Sequence, residues 1–153
     1  MTTTNTRTNE NFEYCKNIAE KIENIIDRDC YKCPHCGEIH TFNEYEINEH
    51  ENSNGVTCYT CPNCGEEIEE NELEAFTLWD YFEDALDIEY TVGSNKQYRS
   101  VRIMVCCGGP NVYVDTGRGA VILNWWTEHA EYMLLNETCE AIDDVFEELY
   151  NCC

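Results

Sequence analysis

The phrase Cys30-Tyr-Lys-Cys-Pro-His-Cys-Gly-Glu38 recurs 28 positions later as Cys58-Tyr-Thr-Cys-Pro-Asn-Cys-Gly-Glu66. Each copy contains Cys-Pro-x-Cys-Gly, a tight turn in which proline fixes the backbone and glycine opens it, so that two thiolates point at one ion. Two such turns complete a tetrahedron of sulfur ligands, the usual arrangement of a structural zinc site. The sequence therefore predicts a Zn²⁺ ion with four protein ligands, Cys33, Cys36, Cys61 and Cys64.

Two further cysteines, Cys30 and Cys58, each precede a ligand by three residues. They can replace Cys33 and Cys61 only if the proline-containing turns are abandoned. We therefore interpret them as flanking thiols, and a metal-binding role for one of them stays open. Because a shell of four thiolates has no free position for water or substrate, we expect the ion to stabilise a small module and not to catalyse.

The spacing of apolar residues divides the chain into four parts. Apolar residues recur every three or four positions from Phe12 to Ile26, which predicts a helix. In the cysteine-rich part, a strand over 39–47 is expected to pair with a strand over 56–59, as in zinc ribbons. The predicted divisions are a disordered lead (1–8), an N-terminal helix (9–29), a zinc-ribbon-like module (30–70) and an α-β4-α domain (71–153).

In the last part, 71–153, apolar residues are first spaced as in a helix, then alternate as in strands, and are finally spaced as in a helix again. A helix is predicted over 71–86, and a helix capped by Asn136 is predicted to end the chain. Between them, alternation predicts a four-stranded antiparallel sheet with strands over 88–92, 101–105, 112–114 and 121–125. The fold class predicted from these elements is α+β.

The chain is strongly acidic, with 31 Asp and Glu against nine Lys and Arg and a formal net charge of −22. No Lys or Arg occurs between Cys33 and Asn95, whereas sixteen acids do. Such a chain repels nucleic acid and anionic membranes and is attracted to basic proteins. The densest run of acids is therefore the predicted partner-binding surface: Glu66, Glu67, Glu69, Glu70, Glu72 and Glu74.

Other features of the sequence argue against secretion and against catalysis. No apolar leader or membrane-spanning run occurs, and six of the twelve cysteines belong to the repeated phrase, which favours a reducing cytoplasm. His129 has no evident nucleophile beside it, and Gly108-Gly-Pro110 lacks the Lys and Ser/Thr of a phosphate loop. We expect a protein that is not an enzyme and has no small-molecule substrate.

The small size, the acidity, the four-cysteine module and the strand–Cys-Gly-Gly-Pro–strand–Trp-Trp segment from Val101 to Trp126 resemble anti-CRISPR proteins of phages and mobile elements. The resemblance implies a bacterial host cell and a type II CRISPR effector nuclease as partner, whose basic channels carry guide and target. Acidic side chains in such a channel would prevent loading of target DNA.

Two alternatives stay open. The phrase Cys-Pro-x-Cys-Gly is also similar to that of rubredoxins, acidic electron carriers that hold one iron with four cysteines. The resemblance implies iron in place of zinc. The other alternative is a zinc-ribbon adaptor that binds a basic protein without contacting nucleic acid.

Overall fold

A long helix, α1 (Thr2–Asp27), is the first element in the computed structural model, which describes residues 2–152. Its buried stripe is formed by Cys15, Ile18, Ala19 and Ile22, at the spacing of one helix face. The helix begins before the predicted Asn9 and ends before residue 29, so the disordered lead is wrong for residues 2–8, and Met1 lies outside the described residues. A helix that a buried stripe has nucleated extends at little cost, because each added residue gains a hydrogen bond.

The fold is α+β, and its contacts divide into two compact units. We call residues 2–23 with 78–152 the sheet unit, and residues 24–77 the metal unit. None of the described helices has both the length and the apolar character needed to cross a bilayer.

The sheet unit is built on a five-stranded antiparallel meander. Its strands are β7 (Asp87–Val92), β8 (Tyr98–Cys106), β9 (Asn111–Asp115), β10 (Ala120–Trp125) and β11 (Glu128–Met133). The prediction of four strands is corrected by β11, which pairs with β10 along its whole length. Its apolar signal is weak, because Ala130 is its only buried side chain.

One face of this sheet forms the core of the unit. Ile103, Val114 and Val121 stand opposite one another across three strands and are fully buried. The C-terminal helix α4 (Asn136–Asn151) contacts β8, and the ring of its buried Phe146 lies 5.5 Å from that of Phe82. Asn136 is the first helical residue and not the predicted N-cap, a position that Leu135 occupies without a side-chain hydrogen bond.

The predicted helix over 71–86 is much shorter in the structure. Only α3 (Leu78–Phe82) is α-helical there, preceded by a 3₁₀ turn (Glu70–Glu72) and by strand β6 (Glu74–Ala75). Strand β6, which belongs to the metal unit, pairs with Tyr31 and Lys32 of the first repeated phrase. Sheet pairing therefore overrides the helical spacing of the local sequence.

The metal unit contains two three-stranded sheets. Besides β6, its strands are β1 (Cys30–Lys32), β2 (Ile39–Thr41), β3 (His50–Glu51), β4 (Thr57–Thr60) and β5 (Glu67–Glu69). The first sheet has the order β2-β1-β6 and the second the order β3-β4-β5.

The predicted pairing of strand 39–47 with strand 56–59 is wrong. Strand β2 ends at Thr41, where the backbone N–H of Thr41 donates to Glu44 Oε2 at 2.7 Å and starts the short helix α2 (Phe42–Glu46). Strand β4 pairs with β3 and β5 and not with β2. Each copy of the repeated phrase therefore supplies the central strand of its own small sheet, in place of one shared hairpin.

Replacing Phe146 by Ala tests the core of the sheet unit. Its ring is fully buried against Phe82, so we expect the free energy of unfolding to fall by about 3–5 kcal/mol. Denaturant unfolding measures the change. The exposed neighbour Glu147 provides the control, since Glu147→Ala should change stability by less than about 0.5 kcal/mol. Equal effects of the two substitutions would contradict this packing.

Candidate metal centre

The two copies of the repeated phrase fold in the same way. In the first copy, the N–H of Cys33 donates to the carbonyl of Glu38 at 2.9 Å, and the N–H of Gly37 donates to the carbonyl of Cys33 at 3.0 Å. In the second copy the same two bonds, each 3.0 Å long, join Cys61, Glu66 and Gly65. Because equivalent donors and acceptors pair in both copies, the repeat in sequence is also a repeat in structure.

Glycine is required at the end of each turn. Gly37 has φ 78° and Gly65 has φ 73°, values in the left-handed region that side chains disfavour. This conformation turns the chain back toward the sulfur atoms.

The turns bring together the four cysteines that the sequence predicts as ligands. The Sγ atoms of Cys33 and Cys64 are 3.9 Å apart, and those of Cys36 and Cys61 are 3.7 Å apart. All four Sγ atoms lie within 4.8 Å of one another. Cys33 and Cys61 are buried, whereas Cys36 and Cys64 are exposed. Four converging thiols of this kind can hold one metal ion.

Backbone N–H groups of the turns favour the thiolate form of one ligand, Cys36, whose pKa is lowered. The N–H of His35 donates to Cys33 Sγ at 3.4 Å. The N–H of Glu38, followed by the Asn63 side chain, lowers the pKa of the Cys36 thiol to about 6. Burial, in contrast, raises the pKa of Cys33. The turns thus supply hydrogen bonds that favour thiolate, the form in which cysteine binds metal.

The buried ligands are also part of the core of the metal unit. Cys33 and Cys61 pack in one cluster with Tyr45, Tyr59 and Ile68. The hydroxyl of Tyr45 lies 3.3 Å from the carbonyl oxygen of Tyr31 and donates to it. Packing on one side and the turn hydrogen bonds on the other fix the positions of the ligands.

The flanking thiols lie outside the four-cysteine cluster. The Sγ of Cys30 faces the carbonyl oxygen of Asn24 at 3.6 Å. Cys58 instead belongs to a separate group with His50 and Glu67, whose possible ligand atoms all lie within 4.8 Å of one another. Spacing alone does not reveal this group, because its members come from three different strands.

The predicted partner-binding acids are not on one helix. They follow the second turn through β5, the 3₁₀ turn and β6. Glu69 is half-buried, and its backbone N–H donates to Glu72 Oε2 at 3.1 Å. The other carboxylates are exposed: Glu66, Glu67, Glu70, Glu72 and Glu74.

Of the adjacent residues Trp125 and Trp126, the first lies on a strand and the second does not. Trp125 ends β10, whereas Trp126 lies in the following turn with φ 56° and is 93 % exposed. A large side chain in this conformation is strained, and such strain tends to occur at functional surfaces. Exposed tryptophan is also a frequent anchor in protein interfaces.

No protein family, curated protein or solved structure matches the chain. Its chemistry is therefore inferred from its own residues. Among the described residues, the four-cysteine cluster and the group of His50, Cys58 and Glu67 are the sites that can hold a metal ion.

Removing both ligands of the first turn tests the cluster. We expect Cys33→Ser with Cys36→Ser to lose the tightly held ion, because two hydroxyls replace two thiolates. We also expect the metal unit to unfold while the sheet unit stays folded, since the core of the sheet unit is formed by other residues. Metal analysis after dialysis measures the loss, and digestion with a glutamate-specific protease should cut first within residues 24–77.

A matched variant removes two exposed cysteines outside the cluster, Cys107→Ser with Cys152→Ser. It should keep the ion and resist the protease as the unchanged protein does. Retention of the ion by the ligand variant would place the ligands elsewhere.

Proposed function

We propose that the chain is a zinc-braced acidic inhibitor of the anti-CRISPR type, which binds a type II RNA-guided nuclease and blocks loading of target DNA. The observation that carries this proposal is the exposed run of carboxylates that begins at Glu66 and ends at Glu74. The run directly follows the second cysteine turn, so the ion that fixes the turn also fixes the start of the run. We propose that the protein acts by binding and not by turnover, in the cytoplasm of a bacterial host.

Zinc is the ion we propose for the cluster. With Zn–S bonds of about 2.3 Å, the edge of a regular tetrahedron of sulfur atoms is about 3.8 Å. The separations of 3.9 and 3.7 Å between the paired Sγ atoms agree with this edge. Four thiolates would leave no open position, so the ion would supply cross-linking and charge compensation alone.

Iron is the second candidate, because four thiolates also suit iron in electron carriers. We expect protein purified from cells supplied with both metals, and then dialysed, to be colourless and to contain one equivalent of zinc. Metal analysis and the visible spectrum measure this. A red protein with one equivalent of iron would overturn the assignment and favour the rubredoxin-like alternative.

The charge of the metal unit supports a basic partner. Residues 24–77 contain thirteen Asp and Glu and two Lys and Arg. A zinc ion with four thiolates adds a further charge of about −2. A field of this sign repels phosphate and attracts surfaces rich in Lys and Arg, at distances up to the Debye length of about 8–10 Å.

Protein channels that normally bind nucleic acid are surfaces of this kind, rich in Lys and Arg. A guide–target duplex lies in a positively charged channel of the nuclease, which recognises the backbone and not the sequence. Carboxylates presented at such a channel would compete with the phosphates for the same cations. Once target DNA has loaded, its phosphates already occupy these cations, so the inhibitor should act before DNA loads.

An order-of-addition experiment tests this function. We expect the purified protein to co-elute with a guide-loaded type II nuclease and to reduce cleavage when it is added before target DNA. We expect a much smaller effect when it is added after DNA has loaded. Absence of co-elution together with unchanged cleavage would contradict the proposal, and capture of a transcription or replication protein would favour the adaptor alternative.

Charge variants of the same complex locate the surface. Glu66→Gln, Glu70→Gln and Glu74→Gln together remove three charges from exposed side chains. We expect association at low salt to slow by roughly three- to tenfold. Removing three charges from the exposed side of α4, with Glu140→Gln, Asp144→Asn and Glu148→Gln, is the control and should have a smaller effect. Equal effects would show that net charge matters and this surface does not.

A further inference from the structure

The second small sheet of the metal unit brings together three different donor groups outside the four-cysteine cluster. His50 lies on β3, Cys58 on β4 and Glu67 on β5. His50 and Cys58 are directly opposite each other in the sheet, and Glu67 is opposite Thr60, two positions along β4 from Cys58. The imidazole and the carboxylate meet across the central strand, where His50 Nε2 lies 2.7 Å from Glu67 Oε2.

The thiol of Cys58 completes this group. Its Sγ lies within 4.8 Å of the donor atoms of both neighbours, although no residue of the group belongs to the four-cysteine cluster. Cys58 is fully buried, whereas His50 and Glu67 are exposed, so the group has one inner and two outer members. An ion bound here would be reached from solvent past the two outer side chains.

The ring of His50 is held by a backbone contact on one side and faces the group on the other. Its Nδ1 lies 3.1 Å from the carbonyl oxygen of Asn48. Since a carbonyl can only accept, Nδ1 carries the hydrogen, and Nε2 is the atom presented to the group. A histidine that binds metal usually donates its other ring N–H to a backbone carbonyl or a carboxylate in this way.

The first copy of the repeat lacks these donors. Counting 28 residues back from Cys58 and Glu67 gives Cys30 and Ile39. Both thiols face a backbone carbonyl oxygen, that of Asn24 at 3.6 Å for Cys30 and that of Val56 at 3.5 Å for Cys58, but the residue opposite Cys30 across its sheet is Thr41 and not a histidine. The residues that the two copies share do not by themselves form the His50, Cys58 and Glu67 group. His50 and Glu67 occur only beside the second copy.

We propose that His50, Cys58 and Glu67 form a second metal site, which binds a zinc-class divalent ion with three protein ligands and one water molecule. Imidazole, thiolate and carboxylate together are ligands that zinc accepts, whereas calcium and magnesium take oxygen ligands. The arrangement differs from the four-cysteine cluster because one coordination position stays open to solvent. The proposal does not depend on the proposed inhibition of a nuclease.

Binding displaces two protons. One is the proton shared by Nε2 and the carboxylate of Glu67, and the other is the thiol proton of Cys58. The freed electron pairs of nitrogen and sulfur, together with one carboxylate oxygen, then bind the ion. No oxidant or reductant takes part, so the step is a simple exchange of two protons for one divalent ion.

Cobalt(II) titration tests the second site, because tetrahedral cobalt gives visible bands and a thiolate charge-transfer band. The starting material is full-length protein dialysed to one equivalent of zinc, so the four-cysteine cluster is already filled. We expect one further equivalent of Co²⁺ to bind with a spectrum of one thiolate ligand, and with release of about two protons per ion at a pH at which both donors are protonated. A dye for free zinc monitors exchange at the first cluster.

Matched variants assign the spectrum to its ligands. We expect Glu67→Gln and His50→Ala to weaken Co²⁺ binding more than tenfold, and Cys58→Ser to abolish the charge-transfer band. The controls Glu66→Gln, His35→Ala and Cys30→Ser should bind as the unchanged protein does. Retention of one equivalent of zinc by each variant shows that the metal unit is still folded.

Three results would overturn the proposal. The first is the absence of tetrahedral Co²⁺ in the zinc-loaded protein. The second is a spectrum that persists in Cys58→Ser and is accompanied by released zinc, which would place cobalt in the four-cysteine cluster. The third is equal weakening by Glu67→Gln and Glu66→Gln, which would indicate nonspecific attraction of cations to an acidic surface.

Discussion

Convergence of four cysteine sulfurs is the constraint on which the metal unit depends. The paired Sγ atoms are 3.7 and 3.9 Å apart, a separation at which thiolates repel one another unless a cation lies between them. The buried core of the unit is small, and two of its five side chains are themselves ligands, Cys33 and Cys61. Burial of so little apolar surface offsets only part of the cost of ordering residues 24–77, and an ion held by the four sulfurs would supply further folding energy.

The same constraint explains how the unit tolerates its charge. Thirteen acids against two bases in residues 24–77 repel one another and oppose compaction. Two turns linked by an ion would resist this repulsion without basic side chains, which would neutralise the surface. On the proposed function, the ion therefore permits a carboxylate surface that apolar packing alone could not hold.

The sequence predicts this centre well, because the turn Cys-Pro-x-Cys-Gly encodes its own geometry and occurs twice. It predicts the meander up to β10 less directly, since residues 88–92 alternate clearly whereas 121–123 form a continuous apolar run. It does not predict which strands pair in the metal unit, because strands of two to four residues carry too little pattern to identify partners. For this reason the sequence reveals neither the pairing of β6 with β1 nor the approach of His50 to Glu67 across β4.

Hydrogen exchange of the metal-loaded and chelator-treated protein measures whether an ion orders the metal unit. We expect amides of Glu67–Glu69 and Glu74–Ala75 to be protected only when the ion is bound, because the cross-link between the turns orders both small sheets. Amides of β8, β9 and β10 should exchange equally in both samples. Unchanged protection of the two short segments after complete removal of metal would contradict the account.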